Sequence, residues 1–452
     1  MASPLNRRRV AWLLGLVAAM VARQGAAQST VPPHVRPPLT APVRGVARAN
    51  NQFAVDLYQE LISNRQPGEN LMISPLSIST ALAMTYAGAR GNTAVQMADA
   101  LHLDAVPDGA VHTGFGQLQL DLNADRPGYD LSVVNRLFGQ EGYDFHEAFL
   151  DQLATAYAAP LEQLDYAADP NAARTHINSW VAGQTNDRIK DLLPPGSVRV
   201  DTRLVLANAV YFNGKWRYEF DPEDTKNLPF HLADSTSPAT PTMFQNSKFA
   251  YAQFDGFQML EMQYSGEDLS MVIMLPNERD GLTVLEAAFT EELFAANVAD
   301  LRLQDVNVFL PKFTFKDRAN LNEPLQALGM TDAFSGHADF SGISGEGLAI
   351  TGVMHQTFID LNESGTEAAG ATGVIIGPTS VPPPPPEFRA DHPFLFALRD
   401  RHTGAMLFLG RMADPGAAIA AAQAEVPEPS SGALTLCALI GLTHALSRRR
   451  QR

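Results

Sequence analysis

Few side chains in this sequence stand at spacings that perform covalent chemistry. SGISGEG around Ser344 approaches the G-x-S-x-G turn that presents a nucleophilic serine, but Glu346 stands where the last glycine must be. HEAFL at His146 has Leu150 where the second zinc-binding histidine would fall. No glycine-rich phosphate loop precedes a lysine, and the 11 histidines are scattered. Neither metal nor cofactor is expected, and the chain is not expected to be an enzyme. The segment that could act is 365–388, GTEAAGATGVIIGPTSVPPPPPEF. In its first half Thr366, Ala368, Gly370, Thr372, Val374 and Ile376 alternate along one face, all small or apolar, while the single charge of that half, Glu367, falls on the other. That half can pair as a strand. The run Pro382 to Pro386 cannot donate to a ladder and favours an extended arm. A plain linker rich in glycine and alanine is the simpler reading, yet a linker has no use for the alternation.

Positioning such a segment takes a large globular body, and composition supplies one. The 452 residues are 45% hydrophobic and 18% charged, a folded rather than a disordered balance. The formal charge is -16, and residues 1–27 hold four arginines and no acids; without them 29 basic and 49 acidic residues remain, a net -20. So acidic a surface repels nucleic acid and anionic polysaccharide, which sets both aside as partners. Residues 1–27 read as an export signal, with Arg7, Arg8 and Arg9 before the apolar run VAWLLGLVAAMVA and a small-x-small site at Gly25 and Ala27. A membrane anchor is the alternative, for which 13 apolar residues are short. The one cysteine, Cys437, lies in the tail, so the body must hold together without disulfides.

Along the chain, residues 28–46 are proline-rich and read as a linker. NNQFAVDLYQELI shows the spacing of an amphipathic helix. ENLMISPLSISTALAMTYAGARGNTAVQMADAL predicts a short buried strand and two helices separated near Gly91. Asp169 and Pro170 open a further helix with a cap and a first-turn proline. RLVLANAVYFNG, LSMVIMLP, DVNVFLPKFTF, LAITGVMHQTFIDLN and GAMLFLGRM read as strands. Helices come early and strands late, which predicts an α+β architecture. Residues 47–415 form the body, 416–425 a second linker, and 426–452 a separate tail.

The 365–388 segment keeps particular company. Asn362-Glu363-Ser364 precede it and FRADHPFLF and LFLGRM follow; NLMISPLSIS (70–79), INSWVAGQTNDRIKDLLPPG (177–196), LANAVYFNGKW (206–216), MVIMLP and LPKF occur upstream in order. From about residue 48 to 415 the chain resembles the serpin family. The resemblance implies a large central mixed sheet with surrounding helices and an exposed reactive-centre loop. A serine protease cleaves that loop, and its first part then inserts into the sheet as a new strand. Family spacing from Glu363 implies a scissile bond at Thr379–Ser380, ahead of a proline arm longer than is usual for the family. It implies a loop hinge at Glu363, Gly365, Thr366, Glu367, Ala368, Ala369, Gly370 and Ala371. It also implies a polar shutter at Asn70, Ser74, Ser77, Asn208 and His355, and a breach at Trp216, Lys312 and Glu363, where the loop first enters. Thr379 suits a protease with a shallow apolar pocket, elastase-like or subtilisin-like, rather than a trypsin-like one. Residues 106–130 hold few basic side chains, so a heparin-like activator is not expected.

VPEPSS, the 15-residue apolar run GALTLCALIGLTHAL and the terminal RRRQR together resemble the bacterial PEP-CTERM sorting signal. That implies a bacterial source, cleavage by a sorting protease of the exosortase type, and residence in the cell envelope or outside it, with transient anchoring through the tail. An ordinary tail anchor is the alternative. The expected activity is irreversible inhibition of a serine protease by a monomer; the alternative is a non-inhibitory serpin that binds or serves structurally in the envelope.

Overall fold

Local sequence sets many element boundaries. The computed structural model describes residues 36–365 and 384–424. α1 (Ala41–Ser63) opens on Thr40, whose hydroxyl accepts from the Val43 amide, with a proline in the first turn where a missing N–H costs nothing. The short β1 (Leu71–Ile73) leads into α2 (Pro75–Tyr86), and the left-handed Gly91 starts α3 (Gly91–Ala100). Then come α4 (Val111–Leu122), β2 (Tyr129–Gln140), α5 (Glu147–Tyr157) and β3 (Glu162–Leu164). Asp169 caps α6 (Pro170–Gln184) by accepting from the Ala172 amide at 2.9 Å.

Past β4 (Leu204–Gly214) strands dominate: β5 (Lys226–Pro229), β6 (Ala239–Phe254), β7 (Phe257–Gln263) and β8 (Leu269–Pro276). Two short helices, α7 (Leu282–Ala288) and α8 (Glu291–Asp300), precede β9 (Arg302–Pro311) and β10 (Phe313–Asn320). The stretch DVNVFLPKFTF is therefore two strands, broken at Lys312. After α9 (Asn322–Ala327) comes β11 (Met354–Leu361), so the first six residues of LAITGVMHQTFIDLN are not strand. β12 (Glu387–Arg389), β13 (Phe394–Asp400), β14 (Met406–Met412) and α10 (Pro415–Ala424) complete the described chain.

Both segments read as linkers are partly helical. α1 begins inside 28–46, because its proline falls where a helix tolerates one. The 416–425 stretch lies almost wholly in α10. Asp414 accepts there from the Gly416 and Ala417 amides at 2.8 and 3.0 Å, and alanine is the strongest helix former.

Among the described residues the strands form three sheets. The largest runs β1-β14-β13-β8-β7-β6-β9-β12, with β5 on β6; the others are β3-β2-β4 and β10-β11. Parallel pairs (β2 with β3, β9 with β12) occur among antiparallel ones, so the sheets are mixed as expected. The main core joins Phe53, Leu57 and Tyr58 of α1 and Ile78 and Leu82 of α2 to Met259, Ile273, Phe396 and Leu409 of the large sheet. A second cluster packs Ile177 and Val181 of α6 onto Phe138, Ala207 and Ala209. Leu206 and Val210 of β4 face the main core instead, so the three-stranded sheet is covered on both faces. β4 lies beside β11, yet no ladder joins their two sheets.

Close approach fixes some glycines. A Cβ on Gly116 of α4 would sit 1.7 Å from the Ala156 carbonyl oxygen of α5, whereas Gly183 of α6 has nothing within 4 Å. Gly116→Ala is expected to destabilise by about 1–3 kcal/mol through overpacking. Gly183→Ala should stabilise by roughly 0.5–1 kcal/mol through helix propensity. Urea midpoints of the two variants check both signs.

Candidate functional site

The seam between β4 and β11 collects the polar residues singled out in the sequence, Asn70 excepted. At its far end β11 gives way to Asn362–Gly365, which folds over the chain leaving β4. The Trp216 amide donates to the Ser364 carbonyl at 2.8 Å, the Phe220 amide to that of Glu363 at 2.8 Å, and the Trp216 indole to that of Asn362 at 3.1 Å. Lys312 Nζ lies 2.7 Å from Glu363 Oε2 and 2.9 Å from Oε1, and the Thr225 hydroxyl donates to Oε1 at 2.7 Å. Burial works to raise the Glu363 pKa, but Lys312 and Thr225 together lower it below the usual carboxylate value. Trp216 stacks on Tyr264 with ring centres 4.4 Å apart. Gly365 bridges to Lys215 at a φ of +118°, and a Cβ there would meet the Gly214 carbonyl at 2.2 Å, so glycine is required.

Midway along the seam, the first turn of α2 passes beneath both strands. The Ser74 amide donates to Nε2 of His355 on β11 at 2.9 Å, and Asn208 on β4 donates to the Ser77 carbonyl at 3.5 Å. One helical turn thus holds both halves of the split sheet. An Nε2 that accepts from an amide leaves the ring proton on Nδ1. Fully buried, His355 has its pKa pushed down to about 3 by desolvation. His355 Nδ1, Asn208 Oδ1 and the Ser74 and Ser77 hydroxyls find no protein partner among the described residues.

Asn70 is not at the seam. Its side chain binds the chain after β14, donating to the Asp414 carbonyl at 2.7 Å and accepting from the Ala413 and Asp414 amides. Of the loop residues, Glu363 and Gly365 are described; Thr366, Glu367, Ala368, Ala369, Gly370, Ala371, Thr379 and Ser380 lie outside the described residues.

Comparison with known proteins accounts for this arrangement. Residues 48–415 match the family model described as Serpin (serine protease inhibitor). The chain belongs to the serpin family. Its relatives include leukocyte elastase inhibitor of Bos taurus, 43% identical over 82% of this chain and 99% of that protein, and human serpin B3, 37% identical over 82% and 100%. Among solved structures, this serpin superposes on uncleaved ovalbumin with a TM-score of 0.74 at 31% identity, covering 82% of this chain and 100% of ovalbumin. Human thyroxine-binding globulin with thyroxine bound gives 0.75 at 28%, covering 83% and 100%.

The expectation that the chain is simply no enzyme, drawn from missing motifs, needs correcting. The family match and the elastase-inhibitor relatives give a positive class, serine protease inhibition, and the classification rests on them rather than on absent signatures.

The sequence reading missed Thr225, Tyr264 and Asn135. Asn135 faces Asn208 across the β2–β4 ladder, 5% exposed and with both side-chain polar atoms lacking a protein partner among the described residues. None stands in a recognisable motif; only the fold brings them to the seam.

The depressed pKa of His355 carries a pH dependence. In the unfolded chain the ring takes its proton near pH 6.5, and in the serpin near pH 3. The stabilising contribution is therefore complete above pH 6.5 and is lost as pH falls below it. Between pH 7 and pH 5 that loss is about 2 kcal/mol. His355→Gln should shrink the difference between urea stabilities at those two pH values by about that amount. An unchanged difference would show that the ring does not titrate this way.

Proposed function

We propose that this serpin inhibits a serine protease by serving as its bait. The protease serine attacks the Thr379 carbonyl, and the bond to Ser380 breaks. The new amine takes the proton held by the protease histidine, leaving an ester between Thr379 and the enzyme. The freed strand, beginning at Thr366, then enters the seam between β4 and β11 before water hydrolyses the ester. The observation that carries this reading is the seam itself: two neighbouring strands in a covered sheet share no ladder, and the strand-competent segment departs from its end at Gly365. Insertion from Thr366 to Thr379 spans about 45 Å at ~3.3 Å per residue. With each ladder bond contributing roughly 0.5–1.5 kcal/mol net, a dozen bonds plus apolar burial match the stability of a whole domain. On this reading the Ser74, Ser77, Asn208 and His355 network and the Lys312–Glu363 pair are contacts that insertion must displace. The elastase-inhibitor relatives and the small Thr379 side chain favour an elastase-like or subtilisin-like target.

The flanking segments belong to the same proposal: export by residues 1–27 of a bacterial protein, then sorting to the envelope through residues 426–452 by an exosortase-type protease. Among the described residues no helix is long and apolar enough to cross a membrane, and the apolar run of the tail lies outside them. A second reading, binding without inhibition, is favoured by the likeness to thyroxine-binding globulin holding its ligand. The small residues from Thr366 to Ala371 argue against it, because a hinge that never inserts has no need to be slim.

Mixed with elastase or subtilisin, the mature protein should give a complex that survives SDS, and the released fragment should begin at Ser380 by mass. Thr366→Arg, which puts a bulky charge on the inward face, should be cleaved at the same bond without a stable complex. Trapping by this variant at the wild-type stoichiometry would rule out insertion from Thr366.

Thermal scans separate the two readings. A cut between Ile376 and Ser380 frees the strand, and insertion then adds ladder bonds and buries Val374 and Ile376, so the melting temperature should rise steeply. A nick in a loop that cannot insert leaves it unchanged or lower. Equal melting before and after cleavage would leave the binding reading standing.

A further inference from the structure

Upstream of the family match, which begins at residue 48, one side chain is seated deep in the body. Arg36 has a side chain only 3% exposed and meets three carboxylates drawn from distant parts of the chain. Asp121 comes from α4, Asp268 from the turn between β7 and β8, and Asp400 from the end of β13. Arg36 Nε donates to Asp121 Oδ2 at 3.0 Å, and one terminal nitrogen donates to Asp400 Oδ2 at 3.2 Å. Its two terminal nitrogens also pair with Asp400 Oδ1 and Asp121 Oδ2, and Asp268 lies at 3.9 Å. This is the forked geometry that suits a planar guanidinium and no ammonium.

The site is built beyond Arg36 itself. The Asp400 side chain is fully buried, and its carboxylate also accepts from the Thr403 amide at 3.0 Å and hydroxyl at 2.5 Å. Arg126, 1% exposed at its side chain, holds Asp121 Oδ1 at 2.6 Å and lies 3.5 Å from Asp268. Two arginines thus face three aspartates. Removing Arg36 would leave one arginine against three carboxylates, with the fully buried Asp400 among them. Beside Arg36 opens a pocket of about 310 Å³ lined by Glu267, Asp268, Arg401 and His402. Following Arg36, the Pro37 carbonyl accepts from the His402 ring at 3.0 Å.

We propose that Asp121, Asp268 and Asp400 form a guanidinium-binding site whose resident ligand is the chain's own Arg36, making the segment ahead of α1 a strap bound in cis. The strap adds a tie among α4, the β7–β8 turn and the end of β13, which already meet through the Arg401 amide on the Asp268 carbonyl at 2.8 Å and through Arg126 between Asp121 and Asp268. It also constrains maturation: a processing cut upstream of Arg36 keeps the strap, and a cut after it discards the ligand and exposes the site.

The test uses the full mature chain. Arg36→Ala should lower the melting temperature by roughly 5–10 °C, because an unpaired buried carboxylate is left behind. Methylguanidinium at about 20 mM should restore much of that loss by occupying the vacated site, while equal sodium chloride or methylammonium should not. If Arg36→Ala fails to fold, its refolding yield with and without methylguanidinium is the readout. Arg36→Lys, which keeps the charge without the fork, should fold and melt between the two. Wild-type melting in either variant overturns the proposal. So does a deficit in Arg36→Ala that methylguanidinium and sodium chloride affect alike.

Discussion

The backbone edges of β4 and β11 lie side by side without a shared ladder, and the rest of the molecule is arranged around that omission. An unpaired strand edge inside a protein forgoes hydrogen bonds and invites any strand that can supply them. Here the edge is shielded rather than paired. α6 covers one face of β4, the core under α2 covers the other, and the Trp216–Glu363 cluster closes the end. The polar ties across the seam include Ser74 to His355, Asn208 to Ser77, and the backbone bonds of Trp216 and Phe220 to residues 363–364. Polar contacts of this kind can be exchanged for others of equal worth, whereas an interdigitated apolar seam would resist parting. On the proposed reading, that is why the shutter is built from serine, asparagine and histidine.

What could be read from the sequence follows from how local each cause is. Asp169 and Pro170 announce the start of α6 because capping and first-turn proline act within four residues. LSMVIMLP reads as a strand because all eight residues are buried in β8. Reading failed where a local rule had two outcomes. The prolines before Val43 suggested a linker, though Pro42 only marks the first turn of α1, and the alanine-rich 416–425 lacked the apolar period that would have shown α10. Site residues divide in the same way. Lys312 and Glu363 could be paired from the family spacing, while Thr225 and Tyr264 reach the same cluster only through the packing of β6 and β7 and carry no local signature. Asn70 shows the opposite error: it sits in a family motif beside Ser74 but spends its side chain on the turn after β14.

The two ion clusters differ as a latch differs from an anchor. Lys312 is 35% exposed at its side chain and Glu363 11%, so water competes for the pair and its worth approaches that of a surface bridge, about 0–1 kcal/mol. On the proposed reading this contact must break during insertion, and its size suits that, since a deeply buried pair costs roughly 3–5 kcal/mol to open. Arg36 and Asp400, at 3% and 0% exposure, stand at that other limit. No disulfide reinforces the body, because the one cysteine is in the tail. Stiffness away from the seam must therefore come from packing and from buried charge. The fold places its strong ionic cluster where distant elements are joined, and its weak one where, on the proposed reading, the sheet parts.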